Sequence, residues 1–261
     1  KTHWRETGSP RPTEDALSCF DASFEEVMFS AAIWSLNQDP LRPKVIAITR
    51  LAHQLGDLRI PGSRWGLDNP DSVYRVIPIS GDERYRITGR VSNPRLPENY
   101  FTLWDDKMNT VDVLNGSTLH LESDGTFEIF VDSDPKGDRK NHVRSAPEAH
   151  EFYIRDVLQD WAIDTPNELA IERLGAAPTA PEATIEEHAE RVARFMLHYA
   201  DSTVRFNQQA YDKPANVLDF KIDRETDGAL RNQIYILGHF DLEDDQALVI
   251  DASTAGAGYF I

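Results

Sequence analysis

Between residues 70 and 175 the apolar side chains fall at a spacing of two, and this constrains the fold more than any other feature of the chain. In "RYRITGRV" (84–91), Tyr85 and Ile87 alternate with charged or polar neighbours, so alternate side chains leave an extended strand on opposite faces. "SVYRVIPI" (72–79) precedes it across the turn "SGDE", which predicts a hairpin. "NYFTLWD", "TVDVLNG", "STLHLES", "TFEIFVD", "HEFYIRDVL" and "ELAIERL" continue the series at intervals of about 8–12 residues. Asp124-Gly125 predicts a type I′ turn, which needs positive φ at both central residues. Short strands with regular turn signals predict an antiparallel sandwich or barrel.

The flanks carry a different period. In "SFEEVMFSAAIWSLNQD", Phe24, Val27, Met28, Ala31 and Trp34 share one helical face, with Ser23 as N-cap and Glu26 completing a capping box. After Pro40 and Pro43, "KVIAITRLAHQL" aligns Val45, Ile48, Ala52 and Leu55 and ends at Gly56, which predicts a second helix and hence a helical hairpin. His53, beside that apolar face, is expected to be a packed or half-exposed histidine rather than a ligand. "GAAPTAPEA" is a linker, and "TIEEHAERVARFMLHYADSTVRF" predicts a long amphipathic helix capped by Thr184 and Glu187. Its stripe is Ile185, His188, Val192, Phe195, Met196 and Tyr199; His188 and His198 lie on different arcs and do not suggest a metal pair. "RNQIYILGHFDLEDDQALVIDAS" and "AGYFI" restore the strand pattern. The expected organisation is a helical segment (1–65), a β-sandwich (66–175), a linker with an amphipathic helix (176–210), and further strands completing the sandwich (211–261). A strand ending at Tyr259, Phe260 and Ile261 would leave an apolar edge, so a partner chain, a homo-oligomer or further sequence is expected to cover it.

Composition removes several function classes. The formal charge of −17 repels phosphate backbones, and Lys136, Arg139, Lys140 and Arg144 are offset by neighbouring aspartates, so nucleic acid is not an expected partner. Cys19 is the one cysteine, which excludes an intrachain disulfide and a thiolate metal cluster. No apolar run approaches the length of about 18 residues that spans a bilayer. A first residue of Lys1 leaves the compartment, cytoplasmic or secreted, undetermined.

Three stretches concentrate reactive side chains. "DSDPKGDRKNH" (132–142) offers Asp132, Asp134 and Asp138, and Ca²⁺ is the cofactor it would admit. Lys136 and Val143 stand where an EF-hand loop needs ligands, so a polar turn set by Pro135 and Gly137 is the expected structure. Its end is the pair Asn141-His142. "IRDVLQDW" offers Asp156 and Asp160 on one face beside Arg155, a pair suited to acid and base chemistry on a glycosidic or amide bond. "HFDLEDDQ" puts His239, Asp241 and Glu243 at alternate positions, one face of a strand if the segment is extended. Trp65, Tyr100, Trp104 and Trp161 lie near strand ends, where rings could stack on sugars or fill the core. No nucleophile elbow, metalloprotease motif, phosphate loop or dinucleotide fingerprint is present.

Three segments together, "NPDSVYRVIPISGDERYRITGR" (69–90), "HLESDGTFEIFVDSDPKGDRKNH" (120–142) and "FYIRDVLQDWAIDTPNELAIERL" (152–174), resemble the bacterial domain-of-unknown-function 1214 family. The resemblance spans residues 65–205 and implies a jelly-roll-like antiparallel β-sandwich, similar in outline to the sandwich domains of peptide N-glycosidase F. It implies no established reaction, and family members usually continue beyond the equivalent of Ile261. The fold class expected is therefore mainly β with accessory helices (α+β), a jelly-roll-like sandwich preceded by a helical hairpin. By fold analogy the expected function is glycan-directed: hydrolysis through Asp156 and Asp160 with His142, Asn141 and Arg155 assisting, or binding of a carbohydrate ligand by Trp161, Trp104 and Tyr100. The alternative is a non-catalytic assembly module that pairs with another chain through its terminal strand and helices.

Overall fold

The computed structural model describes residues 2, 6, 11–64, 68–222, 233–254 and 256–259. In chain order the elements are α1 (Glu14–Ser18), α2 (Phe20–Leu36), β1 (Ile46–Ala47), β2 (His53–Leu55), β3 (Leu58–Ile60), β4 (Ser72–Pro78), β5 (Arg84–Arg90), β6 (Glu98–Trp104), β7 (Thr110–Asn115), β8 (Thr126–Asp132), β9 (His142–Arg144), β10 (Glu151–Val157), β11 (Glu168–Leu174), α3 (Ile185–Tyr211), β12 (Asp219–Ile222) and β13 (Ile234–Leu237). Two sheets form the sandwich, one ordered β1-β4-β10-β6-β7 and the other β11-β5-β8-β9. Pairing is antiparallel except between β8 and β9, and the chain crosses repeatedly between the sheets, as a jelly-roll-like path requires. The expected mainly-β class with accessory helices is the observed one.

The alternating strands explain the core. Tyr85 and Ile87 of β5 and Phe127, Ile129 and Val131 of β8 meet Ile77, Phe101, Leu103, Phe152 and Ile154 of the five-stranded sheet, all 3% exposed or less. Each such side chain contributes about 1.5–3 kcal/mol by leaving water. The five-stranded sheet is covered on its other face as well. Trp34 of α2 lies against Tyr153, with ring centroids 6.4 Å apart, and against Phe195 of α3, at 5.3 Å. Trp104 stacks on Tyr153 at 4.3 Å, and Tyr74 and Val76 complete this second cluster. The capping box expected at α3 is present: Thr184 Oγ1 accepts from Glu187 N (3.2 Å), and Glu187 Oε2 accepts from Thr184 N (2.7 Å).

Several local expectations fail, each for a physical reason. Residues 44–55 are not a helix. Val45, Ile46, Ile48 and Thr49 are β-branched, Asn37 bonds both Lys44 N (3.1 Å) and Lys44 O (2.8 Å), and β1 pairs with β4. Gly56, at φ +59°, then opens a two-residue turn between β2 and β3. The helical hairpin is thus one long helix with a strand and a hairpin behind it. In α2 the N-cap is Cys19, not Ser23, and the buried side is Val27, Ser30, Ala31, Trp34 and Ser35, leaving Phe24 and Met28 each 46% exposed. "STLHLES" is not a strand, and its first two residues end a 3-10 turn (Gly116–Thr118). Among the described residues only Gly125 of the Asp124-Gly125 pair has positive φ, so the turn is not type I′. β12 and β13 form a separate two-stranded sheet and do not complete the sandwich. Tyr259 lies outside any strand, its hydroxyl donating to Asn69 Oδ1 (3.0 Å) and Asp71 Oδ2 (2.8 Å). Trp65, Phe260 and Ile261 lie outside the described residues.

Candidate functional site

The outward side of the four-stranded sheet is where side chains meet open solvent. Alternation sends Tyr85, Ile87 and Ile129 inward and leaves Arg86, Thr88, Arg90, Thr126, Glu128 and Phe130 facing out. Over this face runs an open groove of about 810 Å³, floored by Thr88, Thr126, Phe130 and Ala170 and rimmed by Arg90, His120, Glu122, Glu128, Lys140 and Glu168. One wall is built by Asn141. Its Oδ1 accepts from His120 N (2.8 Å), while its Nδ2 donates to His120 O and Glu128 O, both at 2.9 Å. An amide side chain therefore sews the 120–122 segment to the edge of β8 where β9 does not reach. Asn141 does line the groove, but its polar atoms are spent on backbone, which suits a structural part rather than an assisting catalytic one.

His142, the next residue, turns to Asp132: Nε2 lies 3.0 Å from Asp132 Oδ1. Arg139 Nη1 donates to Asp132 Oδ2 (2.5 Å), and its remaining nitrogens bond Lys136 O (3.0 Å) and Pro135 O (2.5 Å). Burial alone raises the Asp132 carboxyl, but Arg139 and His142 outweigh it and hold it below the usual carboxylate range. The cation of "DSDPKGDRKNH" is thus the chain's own guanidinium, which draws on the oxygens that Ca²⁺ would need. Asp134 pairs with Arg84 (2.5 Å), Asp138 is exposed, and among the described residues no group of three or more His, Cys, Asp or Glu side chains is arranged to hold a metal ion. The loop is the expected polar turn, with Gly137 at φ +55°. Sequence reasoning had Arg139 only as one of four basic residues offset by neighbouring aspartates; its place inside an Asp-rich turn is the signal for its specific pairing with Asp132.

Asp156 and Asp160 do not form a pair. Asp156 is 0% exposed between the sheets. Its oxygens take bonds from Arg75, Asn99 and Asn167, including Asn167 N at 3.1 Å, and Arg75 Nη1 also donates to Asn167 O (2.5 Å). Burial lowers the Arg75 guanidinium to about 10, still charged at neutral pH. This buried ion pair ties β4, β6, β10 and the approach to β11 together, and no substrate reaches it. Asp160 sits in the exposed turn after β10, where its Oδ1 accepts from Ala162 N (2.8 Å). Alternation explains the split, since an even spacing counts only while the strand continues, and β10 stops at Val157.

Arg155 faces the helix layer instead, its guanidinium 5.0 Å from the Tyr153 ring centroid and 5.6 Å from that of Trp104. Trp104 and Tyr100 are 1% and 3% exposed, so neither offers a ring to a sugar. Trp161 is 58% exposed, with Nε1 donating to Asp71 Oδ1 (3.2 Å). Glu151 lies under the helices and accepts from Trp34 Nε1 (2.8 Å); burial pushes its carboxyl up to about 8. "HFDLEDDQ" is not a strand: His239 Nδ1 lies 3.0 Å from Ala210 O and its ring 5.0 Å from that of Tyr211, so the three-residue face does not form.

Known proteins add a fold and no activity. No family model matches the chain, and no curated protein matches it. An uncharacterised protein from Burkholderia cenocepacia has a similar solved structure, at TM-score 0.66 and 20% identity over 84% of this chain and 61% of that one. The chain thus spans about three fifths of that protein's length. A protein from Vibrio parahaemolyticus aligns at TM-score 0.30 and 17% identity, over 41% of this chain and 32% of that one. No helix among the described residues is long and apolar enough to cross a membrane.

Proposed function

We propose that this chain is a non-catalytic carbohydrate-binding protein whose ligand lies along the groove over the four-stranded sheet. The observation that carries the proposal is the groove itself: an open trough of about 810 Å³ with a floor of small and hydroxylated residues, one partly exposed ring at Phe130, and donors and acceptors along both rims. Hydroxyl-rich chains are recognised by that combination of polar rim and ring contact. Hydrolysis is the weaker reading, because Asp156 is enclosed and saturated and Asp160 stands apart from it. The resemblance to the domain-of-unknown-function 1214 family is compatible with this proposal and adds no reaction to it.

The test is a glycan panel screened for binding and for cleavage, with Thr88→Trp to fill the floor. Binding that Thr88→Trp abolishes, without cleavage, supports the proposal. Cleavage, or binding indifferent to Thr88→Trp, contradicts it. The assembly alternative draws on a different observation: Ile234, Ile236, Phe240, Val249 and Ile250 are each at least 51% exposed in the last part of the chain. A native mass of two or more copies would favour it.

A further inference from the structure

We infer that the groove selects glycans carrying free amino groups over neutral and uronate-containing chains; this rests on the groove being a carbohydrate site. The inference comes from how the rim charges are paired. Lys140 Nζ lies 3.1 Å from Glu122 Oε1. Arg90 donates to Asp124 O (2.6 Å) and lies 3.6 Å from Asp124 Oδ2. Glu128 lies 3.3 Å from Arg86, which also holds Glu172 at 2.7 Å. Glu168 is different. It stands directly opposite Arg90 in the β11–β5 register, the position from which a cross-strand ion pair is expected. Arg90 turns the other way, toward Asp124, and among the described residues the Glu168 carboxylate has neither an ion pair nor a hydrogen bond.

The rim therefore presents cations already engaged and one carboxylate still open, on a chain whose formal charge is −17. An anionic sugar would have to share Lys140 with Glu122 and Arg90 with Asp124, and it approaches against the net field. A protonated amine on a sugar ring meets Glu168 with no pair to break, while its hydroxyls use the same donors and acceptors as a neutral chain would. Because the pair forms at the surface, its contribution is that of an exposed ion pair, up to about a fivefold gain in affinity at low salt, and it shrinks as salt is raised.

The test is calorimetric titration of the full chain with β-1,4-linked oligomers of glucosamine and of glucose and with α-1,4-linked oligomers of galacturonate, at a pH where the amines are protonated, in low and about 1 M salt. The expected order is glucosamine, then glucose, then galacturonate, with the glucosamine preference about fivefold at low salt and lost in Glu168→Gln. A thermal melt of Glu168→Gln at the wild-type temperature shows that the variant is folded. A preference that persists in folded Glu168→Gln, that ignores salt, or that runs toward galacturonate overturns the amine inference and leaves the carbohydrate site standing. Failure of every oligomer to bind overturns both.

Discussion

The two sheets of one sandwich have opposite outer faces. On the five-stranded sheet the face beyond the core lies under α2 and α3 and holds Trp34, Tyr74, Trp104 and Tyr153, none more than 7% exposed. On the four-stranded sheet the corresponding face carries Arg86 between Glu128 and Glu172, all in contact with solvent, and the groove. A covered face takes ionisable groups only by neutralising or enclosing them, as Glu151 and Arg155 show; an open face leaves charges free to meet a ligand. Titratable residues in the covered sheet therefore serve the fold, and those on the open sheet are the ones available for recognition.

The largest expected effects fall on the covered sheet. Asp156→Asn leaves Arg75 buried without its counter-charge and is expected to cost about 3–5 kcal/mol in urea unfolding. Trp104→Ala, which empties the aromatic cluster, belongs in the same range of about 3–5 kcal/mol. A loss below about 1 kcal/mol for Trp104→Ala would show that the covered face is not the scaffold, and one for Asp156→Asn that the buried ion pair between the sheets is not.

Next comes pH, where the two sheets should move in opposite directions. The Glu151 carboxyl is raised from 4.5 to about 8 in the folded chain. Its stabilising contribution is fully present below the unfolded pKa and is lost as pH rises through the folded one. The loss between pH 4.5 and 8 is on the order of 4 kcal/mol, and Glu151→Gln should flatten it. Asp132 is lowered, so its contribution is present above its ordinary pKa of 3.8 and lost as pH falls through the folded value. Asp132→Asn should accordingly remove part of the acid-side slope only. Urea midpoints across pH for the two variants check both signs.

Smallest are the open-face ion pairs. Glu172→Gln should change stability by less than about 1 kcal/mol, since Arg86 and its partners are exposed. A larger loss in urea unfolding would mean that this face, too, is part of the scaffold.

Much of this contrast is written in the strands. "RYRITGR" alternates, "TFEIFVD" alternates from Thr126 to Ile129, and both become strands with one wet face; "EFYIRDV" and "NYFTLW" do not, and become strands buried on both. Non-alternation in a β region was thus the signal for the helix layer. What the sequence did not reveal depends on contacts distant in the chain. Residues 44–55 have a helical spacing that pairing with β4 overrides. Asp156 and Asp160 look equivalent until the end of β10 places one inside and the other outside. The groove draws on β5, β8, β11 and two loops, and its wall depends on Asn141 bonding to residues 13 and 21 positions away. No local motif encodes such an arrangement.

The most direct test is an amide chemical-shift titration of the labelled chain with a short β-1,4-linked glucosamine oligomer. The expected result is a set of perturbations gathered at Thr88, Arg90, Glu128, Phe130, Lys140 and Glu168, with Tyr153, Arg155 and Asp156 unmoved. Perturbations centred on Asp156, Asp160 and Trp161, or none at any concentration, would contradict the assignment of ligand binding to the open sheet.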